Sequence, residues 1–284
     1  DGTTLFAGDR NLSQAFRVTK GNIPNAGGEV ITKVDYVGSI HKNMAEISEG
    51  SYIPANFPGN QVFWAEQQIF ISSVNAENYQ VQEDSRIGID GQTIDLKAGD
   101  TVHAIIAKIN DSTAGVRAKL DPVNNSLVLE TTTPHQLWLE DRNGGKVFKD
   151  LGLLKDDGSL PPHNISENAQ MSGGSLFDMV IFLRNSLYQG DVIEIGGSGL
   201  RGLDSAANNL ITAMAELGAR DERLEIVTTR LESEIPKIME KNAEAVDLDL
   251  AGAITELKML EYTHKAALQT AGRILQPTLL DFLR

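Results

Sequence analysis

The residues Gly197-Ser198-Gly199-Leu200-Arg201-Gly202 spell G-x-G-x-x-G. Glycines at that spacing let a backbone approach a pyrophosphate at the N-terminus of a helix, and the pattern carries weight when it joins a strand to a helix. Both neighbours are expected here. Val192-Ile193-Glu194-Ile195 reads as strand, and the residues after Gly202 read as helix. A dinucleotide-binding unit, however, returns to a second strand after one modest helix. In this chain helical spacing continues from Leu203 to Lys241. The glycines are therefore expected to form a hinge between a β-rich region and a helical rod. A nucleotide-dependent enzyme using residues 197–202 is kept as the rival reading from a different class.

Other reactive patterns are sparse. The histidines are His41, His103, His135, His163 and His264, and no two fall at metal-ligand spacing on one element. His103 is expected at the rim of a short helix and His264 as a packed polar residue of a helical seam. Asp141-Arg142-Asn143-Gly144-Gly145 begins like a calcium loop but lacks the third oxygen ligand, the glycine at the sixth position and the closing Glu. It reads as a turn. Neither a Gly-x-Ser-x-Gly elbow nor a Gly-Lys-Ser/Thr phosphate loop occurs. Glu222 and Glu225 lie on a solvated helix face, whereas general-acid work needs a buried carboxyl. Sequons at Asn11, Asn110, Asn124 and Asn164 matter only where a glycosylation machinery is met. No catalytic, cofactor-binding or metal-binding residue is expected, and no cofactor.

Composition narrows the classes further. The 284 residues suffice for two or three compact units. With no cysteine, the sequence cannot build a disulfide scaffold, a thiolate zinc site or a cysteine nucleophile. The formal charge of −14 argues against nucleic-acid binding and against docking on anionic lipid. It is unevenly spread: residues 198–284 carry −4 and the first 197 carry −10. No run approaches a membrane-spanning length, and no signal peptide is evident. The chain begins at Asp1 rather than Met, so a segment upstream is expected.

The elements that would position these residues fall into four segments. Residues 1–85 read as a β-rich segment. A weak strand Ala15–Thr19 and a turn at Asn25–Gly28 precede a strand over Glu29–Val37, with Val30, Thr32, Val34 and Tyr36 on one face. A short helix is expected near Met44–Glu46, then an irregular loop at Pro54, Pro58 and Gly59. Residues 86–160 form the clearest unit, strand–strand–helix–strand–strand. Ile87–Ile89 and Thr93–Leu96 flank the hairpin signal Asp90-Gly91. A helix begins at Asp100-Thr101 with Val102, Ile105, Ile106 and Ile109 at helical spacing, and Gly115 ends it. Val116–Leu120 and Leu127–Glu130 make the second hairpin, and Leu137–Leu139 adds a strand. Residues 161–202 are a connecting loop and a short amphipathic helix over 175–189.

Residues 203–284 carry the strongest pattern. Apolar residues alternate at steps of four and three through Leu203, Ala207, Leu210, Met214, Leu217, Leu224, Leu231, Ile235 and Ile238, with Asp221 and Thr228 as polar interruptions. This is a heptad seam, and it asks for partner helices. A helix over 203–241 would be about 58 Å long. Pro236 is expected to kink it or end it near Ile235. A second series runs Leu250, Ile254, Leu257, Glu261, His264, Leu268, Ala271 and Leu275, is stopped by Pro277, and is followed by Leu279-Leu280-Asp281-Phe282-Leu283. The expected fold class is α+β, with β-rich outer domains inserted on a long α-helical coiled-coil rod.

Several short segments taken in order resemble one family. Near the C-terminus they are Asp247–Ala251, Ala253–Leu257, Ala266–Gln269 and Leu279–Leu283. Further upstream they are Leu176-Phe177-Asp178, Leu217-Gly218-Ala219-Arg220, Arg223-Leu224-Glu225 and Leu5-Phe6-Ala7-Gly8. Together they look like the flagellin superfamily, most of all its hook-associated branch. The unit Ile87–Thr133 is similar to the β-insertion module of that superfamily, through Asp95-Leu96, Ile109-Asn110, Gly115–Ala118 and Leu127–Leu129. The resemblance implies a structural, non-enzymatic protein of the bacterial flagellum that joins hook to filament, or alternatively a filament subunit of the same fold. It implies assembly through Leu203, Leu210, Met214, Leu217, Leu224, Leu231, Leu250, Ile254, Leu257, Leu268, Leu275, Leu279, Leu280, Phe282 and Leu283. The implied partners are another hook-associated protein and flagellin, further copies in a ring, and an export chaperone, with no nucleic acid and no membrane. The implied location is the secreted flagellum, extracellular or periplasmic. Members of the superfamily also begin with a long N-terminal helical segment, which this sequence lacks ahead of Leu5.

Overall fold

The computed structural model describes residues 4–10, 12–246 and 249–274. The chain divides into two compact units, Asp1–Glu222 and Arg223–Arg284.

The first unit is built around the 85–133 module. Strands β6 (Ser85–Ile89) and β7 (Gln92–Leu96) form a hairpin with Ile87 opposite Ile94. Its turn needs left-handed backbone at both central residues, and Asp90 (φ 48°) and Gly91 (φ 82°) supply it. Helix α2 (Val102–Asp111) follows, capped by the Thr101 side chain, which accepts from the Ala104 N–H. Strands β8 (Val116–Leu120) and β9 (Ser126–Thr131) complete the module as a second hairpin. The alternation in the strands and the helical spacing in α2 converge on one core. Ile87, Ile89, Leu96, Ile105, Ile109, Leu127 and Leu129 are all buried there. Burying each such side chain is worth roughly 1.5–3 kcal/mol.

The remaining strands extend these two hairpins. Strand β10 (Leu139–Arg142) pairs with β6, giving the order β10-β6-β7. Strand β5 (Ile69–Asn75) lies between β9 and β11 (Gln170–Ser172), giving β11-β5-β9-β8. The second sheet thus draws strands from three of the four expected segments. The connecting loop expected ahead of the 175–189 helix contributes β11. Strand β5 was not foreseen because Phe70, Ser72 and Val74 mix burial with polarity and carry no clean alternation.

A second layer lies beside that core. Strands β1 (Phe16–Gly21) and β2 (Val30–Tyr36) form an antiparallel ribbon, with Val30, Thr32, Val34 and Tyr36 on its more buried face as their spacing predicts. Phe6, Phe16, Tyr36, Phe63 and Phe177 meet there with ring centroids 4.9–5.5 Å apart. Such edge-on aromatic packing adds to area burial. The helix expected near Met44–Glu46 is instead strand β3 (Met44–Ser48), paired with β4 (Ser51–Pro54). The Gly50 turn (φ 71°) folds the segment back on itself as a hairpin. Short helices α1 (Gly59–Val62) and α3 (Val147–Asp150) close loops.

Helix α4 (Leu176–Gln189) opens on a complete capping box. The Ser175 hydroxyl accepts from the Asp178 N–H, and the Asp178 carboxylate accepts from the Ser175 N–H. Gly190 ends the helix in the left-handed conformation. The strand expected at Val192–Ile195 is helix: α5 (Val192–Glu194), capped by Asp191, runs through a π-helical turn at Ile195–Gly199 into α6 (Leu200–Val246). Val192 and Ile193 find no sheet to join, and Asp191 offers its carboxylate to the N–H groups of Ile193 and Glu194.

The dividing point of the two units falls inside α6. The second unit holds the remainder of α6 and helix α7 (Leu250–Ile274). Of the two outcomes expected at Pro236, a kink or an end, the end does not occur, since the proline lies inside α6. A proline removes one backbone hydrogen bond and crowds one carbonyl. The residues beyond it, Lys237–Val246, are rich in Lys, Met, Glu and Ala, strong enough helix formers to resume the helix.

Candidate assembly surface

The start of α6 lies against α4 through two of the three motif glycines. A Cβ on Gly202 would sit 2.3 Å from Met179 Sδ, and one on Gly199 would sit 3.3 Å from Leu183 Cδ1. Gly197 meets nothing within 4 Å. The G-x-G-x-x-G pattern thus sits in continuous helical backbone with no strand before it, which removes the geometry a pyrophosphate needs. Its glycines at 199 and 202 serve close helix packing.

Two further side chains anchor α6 within the first unit. Asn209 Nδ2 approaches the carbonyls of Gln61, Val62 and Trp64 at 3.1, 3.3 and 2.7 Å. It satisfies the end of α1, whose last carbonyls lack helical partners. Arg220 donates to the carbonyls of Pro54 (3.1 Å) and Asn56 (3.3 Å), stacks 3.8 Å over the Phe57 ring and pairs with Glu216. Nearby Lys42 has its pKa lowered, first by burial, with Glu216 opposing and Arg220 adding to the shift. These roles were missed in the sequence. Arg220 stood out only as the end of a short family-like segment, and Asn209 carried no signal.

The family-like segment Leu5-Phe6-Ala7-Gly8 is also a packing device. Phe6 O accepts from Gly59 N (2.9 Å), and Ala7 O accepts from Ser39 N (2.9 Å). Gly8, at φ 69°, brings its Cα so near Ser39 O that a Cβ would lie 2.1 Å from it. The Tyr36 hydroxyl lies 2.9 Å from Phe6 O and 2.7 Å from Ser39 O, and burial pushes its pKa up to about 12. Leu5-Phe6-Ala7-Gly8 is therefore a turn pinned under an aromatic cluster.

The apolar stripe of the helices behaves differently. Leu203 and Leu210 are half-buried, whereas Met214, Leu217, Leu224, Leu231, Leu250, Ile254, Leu257 and Leu268 are 41–70% exposed. Leu275, Leu279, Leu280, Phe282 and Leu283 lie outside the described residues. Ile211, Ile226, Met239, Leu260 and Tyr262 widen the exposed apolar surface beyond the seam named from spacing. No described residue of 223–274 is buried. Exposed apolar surface of this extent is uncommon on monomeric soluble proteins.

The polar candidates are tied up within the first unit. His135 is buried, with Nε2 2.9 Å from Asp90 Oδ2 and Nδ1 2.8 Å from Thr133 O, and Asp90 Oδ1 accepts from Trp138 N at 3.0 Å. This links the β6–β7 turn to the chain entering β10. Asp141, the start of the faint calcium pattern, gives its two oxygens to the N–H groups of Phe148 (3.0 Å) and Lys149 (3.1 Å) at α3. Burial still raises its pKa to about 6. Among the described residues, no cluster of three or more metal-ligating side chains occurs, and no helix is long and apolar enough to cross a membrane.

The family model matches the module. Residues 85–133 match the flagellin hook IN motif. A 70-residue stretch is 40% identical to flagellar hook-associated protein 2 of Thermotoga maritima, covering 24% of this chain and 12% of that relative. Among solved structures, hook associated protein-3 of Legionella pneumophila aligns over 87% of this chain and 75% of its own, with 14% identity and a TM-score of 0.40. The FlgL protein of Xanthomonas campestris aligns over 86% and 74%, with 13% identity and a TM-score of 0.39. No residue role follows from likenesses this distant. The strand–strand–helix–strand–strand unit in the core of the first compact unit is similar in sequence to the flagellin hook IN motif.

Proposed function

We propose that the protein is a structural component of the bacterial flagellum, of the hook-associated kind, joining hook to filament. The observation that carries this reading is the hook IN motif over residues 85–133, and the relative sharing 40% identity over 70 residues is itself named a hook-associated protein. The mechanism is burial, not catalysis. The first unit folds on its own core, and the apolar stripe of α6 and α7 is covered by helices of neighbouring subunits. Those neighbours are another hook-associated protein on one side and flagellin on the other, with copies of this chain side by side in a ring. In this reading the protein works outside the cytoplasm, exported with a chaperone that shields the stripe on the way.

Truncation of residues 250–284 tests the reading. The shortened protein should keep the circular dichroism and cooperative unfolding of the first unit and fail to assemble on isolated hooks. Normal assembly of the truncated chain would overturn the proposal. A filament subunit would instead polymerise alone from seeds, which this protein should not do.

A further inference from the structure

Strand β8 ends the sheet β11-β5-β9-β8, so one of its sides has no strand beside it. Asn110, near the C-terminal end of α2, lies on that side. Its Oδ1 accepts from Ala118 N–H at 2.7 Å, and its Nδ2 donates to Ala118 C=O at 2.9 Å. Ala118 sits opposite Leu129 of β9, but these two backbone groups are turned away from β9. Backbone direction alternates along an antiparallel strand, so Leu120 N–H also points outward. A neighbouring strand would offer Ala118 one acceptor and one donor, and the Asn110 amide offers the same pair. A carboxylate lacks the donor, and a hydroxyl is one atom where two are needed. Asn110 is itself exposed, whereas Ala118 is buried. The amide therefore stands at the boundary with solvent, where a further strand would lie.

An open strand edge is a template for another chain, and short edge strands blunt it. The opposite edge of this sheet, β11, is only three residues long. β8 has five and lacks that protection. Its exposed side chains, Arg117 and Lys119, are basic, and Lys119 pairs with Glu130 of β9 at 3.0 Å. The strand that fits the outer edge is thus an apolar one carrying an acidic residue, as β9 does. We infer that Asn110 holds the place of a further strand and closes β8 against such a strand, the β9 segment of a second copy not yet folded. The closure belongs to the first unit alone and does not depend on what covers α6 and α7.

The test uses the full chain and a fluorescently labelled peptide of residues 125–132, which spans β9. In anisotropy titrations Asn110→Ala should bind the peptide at least about tenfold tighter than the wild type. Thr101→Ala removes the cap of the same helix and leaves Asn110 in place, so it should bind as the wild type does. Amide exchange by NMR locates the binding. The Ala118 amide should be protected in the wild type, exchange quickly in free Asn110→Ala, and regain protection together with Leu120 when the peptide is bound. Equal binding by Asn110→Ala and the wild type overturns the inference. So does an equal gain in Thr101→Ala, or a gain without protection at Ala118 and Leu120. Should Asn110→Ala lose the wild-type circular dichroism, Asn110→Ser carries the test, since its hydroxyl cannot serve both Ala118 groups. A smaller gain of the same sense is expected there, and no gain overturns the inference.

Discussion

Residues 85–133 and residues 223–274 carry apolar side chains at equally regular spacing, and the chain uses them in opposite ways. In the module, two hairpins and α2 face one another, so Ile87, Ile105 and Leu129 are fully buried within some forty residues of sequence. In the second unit, no described residue is buried, although Leu224, Leu231, Leu257 and Leu268 repeat as regularly. Periodicity fixes the element and the face. Whether that face is covered depends on whether the same chain brings a second face to meet it. The module packs its apolar faces against one another, whereas the described residues of the helices leave theirs uncovered.

Substitutions separate the two regimes. Ile105→Ala removes a fully buried side chain from α2 and should lower the stability of the free protein by about 2–5 kcal/mol, read as a lower urea midpoint at unchanged slope. Leu257→Ala deletes a similar side chain from α7, where it is 58% exposed, and should change the same midpoint by about 0.5 kcal/mol or less while weakening assembly. Equal destabilisation by the two would break the contrast. Thr101→Ala removes the α2 cap and should cost about 1 kcal/mol, again in the first unit alone.

A further expected effect is electrostatic. Burial holds the Asp141 carboxyl at about 6, above its ordinary 3.8. Between those values the folded protein binds the proton that the unfolded chain has released, so stability falls as pH rises from about 4 to about 6. Asp141→Asn should flatten that part of the stability profile and leave the profile above pH 7 parallel to the wild type. Urea midpoints measured from pH 4 to pH 7 in both proteins check this.

Much of the module was legible because its signals are local. Asp90-Gly91 dictates its own turn, Thr101 its own cap, and the spacing of Val102, Ile105 and Ile109 its own face. The misreadings share a different cause. Val192–Ile195 has strand-like residues and becomes helix because Asp191 caps it and no strand lies alongside. Met44–Glu46 pairs with β4 across a turn whose glycine lies beyond the segment itself. β5 takes its place from neighbours more than fifty residues away, opposite β9. The stripe residues were legible one by one. The anchors Asn209 and Arg220 were not, since their partners are backbone carbonyls near residues 54–64, which no sequence pattern marks.

Amide hydrogen exchange of the full chain, free and after assembly onto hooks, tests the central claim most directly. The account predicts that amides of 85–133 are strongly protected in both states. Those of 223–246 and 250–274 should exchange quickly in the free protein and become protected on assembly. Strong protection of the two helices in the free monomer, or no gain on assembly, would contradict it.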